Sequence, residues 1–224
     1  MRIAIAEDSA LFREGLELQL ARSGLEVVVT ARTGEELLAR TAGKHIDAVI
    51  LDVRMPPTFT DEGLRTAEEL AARDPGIGIL MLSAYSETGY VTRLFAGGNA
   101  RRGYLLKDRV DNARTLCDAL ERICQGESVV DDSIVKRLLT RQDHLRKLAV
   151  LTEREQQVLQ AMAEGRSNAG ISKVMNLAEK TVEAHGARIF AKLGLLGAED
   201  ANRRVLAVLA WLRASHAETP APPL

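Results

Sequence analysis

The 224 residues, 46% hydrophobic and 27% charged, suffice for two ordinary domains, each burying its own core. No apolar run approaches the roughly 20 residues of a membrane span, and the N-terminus enters a strand pattern without signal-peptide organisation, so a cytoplasmic protein with no membrane partner is expected. The net charge of −1 hides an asymmetry: residues 1–140 carry 18 Lys/Arg against 22 Asp/Glu (−4), and residues 150–214 carry 9 against 7 (+2), an order that suits a metal site followed by a nucleic-acid module.

Apolar, β-branched runs at 2–6, 25–31, 48–51, 77–82 and 103–106 alternate with amphipathic helical patterns at 9–22, 34–41, 62–73, 87–95 and 111–124. Five such units predict a parallel, doubly wound α/β sheet. Cys117 and Cys124, the only cysteines, fall seven apart on the last helix, about 10 Å along its axis, too far for a disulfide. The histidines (45, 144, 185 and 216) are scattered, which leaves the cysteines a structural role. After Gln125-Gly126 strand signals stop. A helical pattern at 131–141 leads into the polar stretch 140–147, read as linker, and four helices are predicted at 152–164, 168–175, 179–193 and 199–214, with Gly165 and Gly194 as stop signals. The proline-rich tail is expected to be disordered.

In an open parallel sheet functional side chains gather at the carboxyl ends of strands. Here those ends carry Glu7 and Asp8, Asp52, Ser83 and Lys107. Taken singly, each has an ordinary reading: a helix-capping pair, a turn cap, a half-buried hydroxyl, a surface charge. Jointly, three carboxylates stay ionised most readily around a hard cation, and oxygen-only ligands point to magnesium. Asp52 can then act as a nucleophile toward phosphorus, with Lys107 supplying charge, Ser83 a hydroxyl and small Ala84 room for the phosphoryl group.

Ala-Glu-Asp-Ser (6–9), Val-Ile-Leu-Asp-Val-Arg-Met-Pro-Pro (49–57), Met-Leu-Ser-Ala-Tyr (81–85) and Gly-Tyr-Leu-Leu-Lys-Asp (103–108) resemble the receiver domain of response regulators over residues 1–124. The resemblance implies a flavodoxin-like, five-stranded sheet of order 2-1-3-4-5. It implies magnesium held by Glu7, Asp8, Asp52 and the Arg54 backbone carbonyl, phosphate passed to Asp52 from a sensor histidine kinase, and Ser83 and Tyr104 moving together as a switch, Tyr104 turning inward. The segment 97–102 is longer and more basic than the family's usual tight turn.

Thr152 with Glu155 forms a capping-box pattern, and Val182, Ile189 and Leu193 share one face of the longest helix, Gly186 between them. The opposite face, Lys180, Ala184, Ala187, Arg188 and Ala191, is small and positively flanked. Alanine methyls can meet thymine methyls, Arg188 a guanine or phosphate, and Glu183 a cytosine amine; an ordinary solvated face of a helical bundle is the competing reading. Leu-Thr-Glu-Arg-Glu-Gln-Gln-Val-Leu (151–159), Ala-Glu-Gly-Arg-Ser-Asn (163–168), Glu-Lys-Thr-Val-Glu-Ala-His (179–185) and Ile-Phe-Ala-Lys-Leu-Gly-Leu (189–195) resemble LuxR-type helix-turn-helix domains, and the two-domain order resembles the NarL/FixJ family. The implied layout is a receiver (1–124), a linker with a helix (125–149), a small all-α four-helix DNA-binding domain (150–214) and a tail (215–224).

By this resemblance 168–175 positions, 179–193 enters the major groove and 199–214 dimerises. The contact set is Lys180, Thr181, Glu183, Ala184, His185, Ala187, Arg188 and Lys192, with two-fold related half-sites on double-stranded DNA bound by a homodimer. Gly186 stands where the family usually carries valine or isoleucine, which predicts a marginal output domain, and Ala187 where a basic residue is common. Trp211 is expected to pack in the last helix and Asp47 to be a turn residue. No enzymatic activity is expected beyond self-phosphorylation and self-dephosphorylation at Asp52. The alternative is a phosphorylation-independent regulator whose receiver is an interaction module; the intact set Glu7, Asp8, Asp52, Ser83 and Lys107 argues against it.

Overall fold

The structure, a computed structural model, describes residues 1–84, 87–98, 100–110, 113–196 and 202–215, the side chains of Arg141, His144 and Ser215 excepted. The tail beyond Ser215, with His216, lies outside these residues, as do Tyr85, Asn99 and Glu199. The chain divides into two compact units, Met1–Val135 and Lys136–Leu224.

The first unit runs β1 (Arg2–Ala6), α1 (Ala10–Arg22), β2 (Glu26–Ala31), α2 (Gly34–Thr41), β3 (Ala48–Asp52), α3 (Glu62–Arg73), β4 (Gly78–Ser83), α4 (Thr88–Ala96), β5 (Arg102–Leu106), a 3-10 turn (Lys107–Arg109), α5 (Ala113–Cys124) and β6 (Ser128–Val130). The strands pair in the order β2-β1-β3-β4-β5-β6, every pairing parallel. Every residue of β3 and β4 is buried, the run expected of strands covered on both faces. Alternation divides β1 between the two layers: Ile3 and Ile5 join Leu16 and Leu20 of α1 and Leu116, Leu120 and Ile123 of α5 in one core. Each such side chain contributes roughly 1.5–3 kcal/mol by burial.

The sheet departs from the five expected strands by β6, whose Val129 and Val130 pair with Gly103 and Tyr104. Three residues are too short for a period-2 signature, and their role is to cover the β5 edge. Gly63, at the start of α3, shows how closely the layers approach: a Cβ there would lie 1.8 Å from the Asp52 carbonyl oxygen, so only glycine lets α3 begin against the end of β3.

A long helix, α6 (Asp132–Ala149), crosses the boundary between the units. It absorbs the polar stretch 140–147 read as linker; the segment has neither Gly nor Pro, and Leu138, Leu139, Leu145 and Leu148 keep a helical pattern. The second unit continues with α7 (Glu153–Ala163), α8 (Asn168–Met175), α9 (Glu179–Lys192) and α10 (Arg203–Ser215). Its core joins Leu148, Val158, Met162, Ile171, Val182, Ile189 and Ala207, with Trp211 packed against it. Thr152 and Glu155 form the capping box of α7, Ser167 caps α8, and Gly165 and Gly194 follow α7 and α9 at φ 82 and φ 71. No helix among the described residues is long and apolar enough to cross a membrane.

Candidate functional site

Four strand ends converge. Glu7 follows β1 and is almost fully buried, Asp52 ends β3, Ser83 ends β4 at 1% exposure, and Lys107 follows β5. The Lys107 ammonium donates to Glu7 Oε2 at 2.7 Å and to Asp52 Oδ2 at 2.8 Å, and lies 4.8 Å from the Phe12 ring centroid. Glu7, Asp8 and Asp52 each place a carboxylate oxygen within 4.8 Å of the others. The Ser9 N–H donates to Glu7 Oε1, and the Arg13 guanidinium donates to the Glu7 carbonyl at 2.6 Å, so the β1–α1 turn is fixed on both sides of the pair.

The electrostatics follow from crowding like charges where water is scarce. Burial pushes the Glu7 carboxyl up from its ordinary range, and the Asp52 charge adds to it. Burial likewise raises Asp52, against the opposing pull of Lys107. For Lys107 burial works against the charge, but Asp52 and Glu7 outweigh it and the net shift is upward. Lys107 thus stands where a cation is called for, and three oxygen ligands with no thiolate or imidazole fit a hard dication such as magnesium.

Tyr104 is inward, with no exposed surface. Burial drives its phenol upward, against a hydrogen bond with Ser83, so the two residues named as a switch are in contact. The Arg54 side chain makes a network the sequence reading missed. Its Nη2 donates to Glu87 Oε1 at 2.6 Å, both its Nε and Nη2 reach the Tyr90 hydroxyl at 3.4 Å, and Tyr90 donates to the Thr60 carbonyl at 3.1 Å. Arg93, one turn on, holds Asp61 and Glu68. Arg54 and Glu87 are thirty-three residues apart, and no local pattern pairs them. Asp47 lies at the amino ends of the strands, opposite the carboxyl ends that carry the acidic cluster, accepting from the Arg2 N–H at 2.6 Å and pairing with His45.

In the second unit α9 buries Val182, Gly186 and Ile189 and exposes Lys180, Thr181, Glu183, Ala184, Ala187, Arg188 and Ala191. His185 is half-exposed, its Nδ1 buried with no hydrogen-bond partner among the described residues. Lys192 donates to Glu155 at 2.7 Å; this ties α9 to the α7 cap and gives Lys192 a structural role that its position on the helix did not reveal. Arg204 bonds Asn168 and the Arg166 carbonyl, fixing α8 against α10, and α10 leaves Val205 and Leu209 exposed, four apart on one face.

The family model of the response regulator receiver domain matches residues 3–127, and that of bacterial regulatory proteins of the luxR family matches 149–210. The chain is 31% identical over 205 residues to the oxygen regulatory protein NreC of Staphylococcus aureus (strain JH9), covering 87% of this chain and 92% of NreC. It is 29% identical over 215 residues to the transcriptional regulatory protein DegU of Brevibacillus brevis, covering 87% and 88%. Among solved structures, the two-component response regulator RcsB in complex with DNA superposes with a TM-score of 0.57 at 22% identity, covering 96% of this chain and 98% of that one.

Proposed function

Because this chain belongs to the response regulators that join a receiver domain to a LuxR-type DNA-binding domain, we propose that phosphorylation of Asp52 by a sensor histidine kinase switches its binding to DNA. The observation that carries the proposal is the Lys107 ammonium bonded at once to Glu7 and Asp52, with Asp8 beside them. An Asp52 carboxylate oxygen attacks phosphorus; the new P–O bond forms as the P–N bond of the donor phosphohistidine breaks, and the imidazole nitrogen keeps the electron pair and takes a proton. Lys107 neutralises an equatorial phosphoryl oxygen, and the Ser83 hydroxyl donates to another. Magnesium, held by Glu7, Asp8, Asp52 and the Arg54 carbonyl, would supply the remaining positive charge.

The phosphoryl group brings about −1.5 to −2 charge, and Ser83, bonded to Tyr104, is the direct route from it to the β5 surface. In the output domain α9 enters the major groove. Lys180, Thr181, His185 and Arg188 meet phosphates or base edges, Glu183, Ala184 and Ala187 read bases, and Lys192 holds the helix in place through Glu155. Val205 and Leu209 are the apolar pair on which two copies of α10 would meet, placing two recognition helices on two-fold related half-sites.

The test is the intact mass of the protein after incubation with acetyl phosphate and magnesium. A gain of one phosphate that needs magnesium and is lost in Asp52→Ala is expected; undiminished uptake in Asp52→Ala, or none by the folded parent, would overturn the assignment.

A further inference from the structure

Arg54 puts a permanent cation beside the acidic site. It lies two residues after Asp52, no more than about 7 Å along the chain, and arginine cannot shed its charge. Glu7, Asp8 and Asp52 carry three negative charges against the single Lys107 ammonium bonded among them, so a free guanidinium at this position would be drawn into the cluster and would occupy the oxygens a dication needs. Yet the side chain is engaged elsewhere. Glu87, the N-cap residue of α4, pairs with it at 2.6 Å, at side-chain exposures of 15% for Arg54 and 29% for Glu87. The Tyr90 hydroxyl lies 3.4 Å from both Nε and Nη2, and the guanidinium carbon stands 5.9 Å from the Tyr90 ring centroid. Tyr90 is itself tied to the Thr60 carbonyl, so the partners holding Arg54 are anchored independently of the site.

We propose that Glu87, with Tyr90, is a positioning residue for metal binding: it holds the Arg54 guanidinium out of the acidic cluster and so keeps that cluster open to magnesium. The fit between sequence and structure supports a holding role. Glu87 makes no side-chain bond to the first turn of the helix it caps, so its carboxylate serves Arg54 instead of the α4 amides. Removing that carboxylate releases a competing cation without altering any of the three ligand carboxylates. The inference rests on the reading of Glu7, Asp8 and Asp52 as a magnesium site.

The experiment is a calorimetric titration of magnesium into the full-length parent, Glu87→Gln, Tyr90→Phe, Arg54→Ala and the double variant Arg54→Ala/Glu87→Gln, each checked for its helical signal. Expected are a magnesium Kd at least threefold weaker in Glu87→Gln, a smaller weakening in Tyr90→Phe, and recovery to the parent value or tighter in the double variant, where the competitor is gone. A purely structural role for Glu87 would weaken the double variant as much as the single one. Unchanged affinity in Glu87→Gln, or no recovery in the double variant, overturns the holding role while leaving the magnesium site standing; absence of magnesium binding by the parent overturns both.

Discussion

At Gly186 α9 gives up a side chain on its buried face. A Cβ there would meet only the Met162 Cε at 3.4 Å and Phe190 at 4.0 Å, and the position adjoins a cleft of 340 Å³ lined in part by Met162, Val182, Phe190 and Leu196. Alanine therefore fits without displacement and gains about 1 kcal/mol of helix propensity. Gly186→Ala is predicted to raise the melting temperature of the second unit by roughly 4–8 °C in calorimetry of the full chain; an unchanged transition would show that the domain is not marginal at this residue. Glu7, Asp8, Asp52, Ser83 and Lys107 were legible because each interrupts or ends an apolar run, where a polar residue is conspicuous. The side-chain partners of Arg54 were not legible, since they are fixed by how α4 lies beside the β3–α3 loop. The Lys192–Glu155 bond was hidden for a like reason: helical periodicity puts Lys192 on the outer face, and a four-carbon stem lets the ammonium turn back to Glu155.

Among the elements, α7 shows a cap doing two tasks. Glu155 accepts from the Thr152 N–H at 2.8 Å and from Lys192 at 2.7 Å while almost wholly buried. Burial works against its charge, yet these hydrogen bonds outweigh it and hold the carboxyl below its ordinary value of 4.5. A carboxyl with a depressed folded-state value stabilises fully above the ordinary value and loses that contribution as pH falls below it. Glu155→Gln, which keeps the cap geometry but not the charge, is predicted to cost about 1 kcal/mol at neutral pH. Its stability, followed by denaturant titration, should converge with the parent's below pH 4.5; a constant gap across that range would contradict the assignment. The helices were readable from their period and the long strands from their apolar, β-branched runs, whereas β6 was not. Ser128–Val130 is a strand because β5 offers it an open edge, a property of the assembled sheet and not of those three residues. The run of α6 through 140–147 was likewise hidden, because charge made the stretch look like a linker although nothing in it breaks a helix.

The whole molecule separates receiver and DNA-binding domain into two units, and the proposed function is a free-energy coupling between them. Such coupling requires that the phosphoryl group favour one arrangement of the protein over another. In the proposed mechanism the Ser83–Tyr104 contact would carry the change from Asp52 to β5, and the exposed Val205 and Leu209 would pair two output domains. The most direct measurement is the Kd of the full-length protein for a duplex it has itself selected from a random pool, taken with and without acetyl phosphate and magnesium, beside Asp52→Ala. The account predicts at least tenfold tighter binding on phosphorylation, about 1.4 kcal/mol of coupling, and no such change in Asp52→Ala; equal affinity of the phosphorylated and unmodified parent would contradict it.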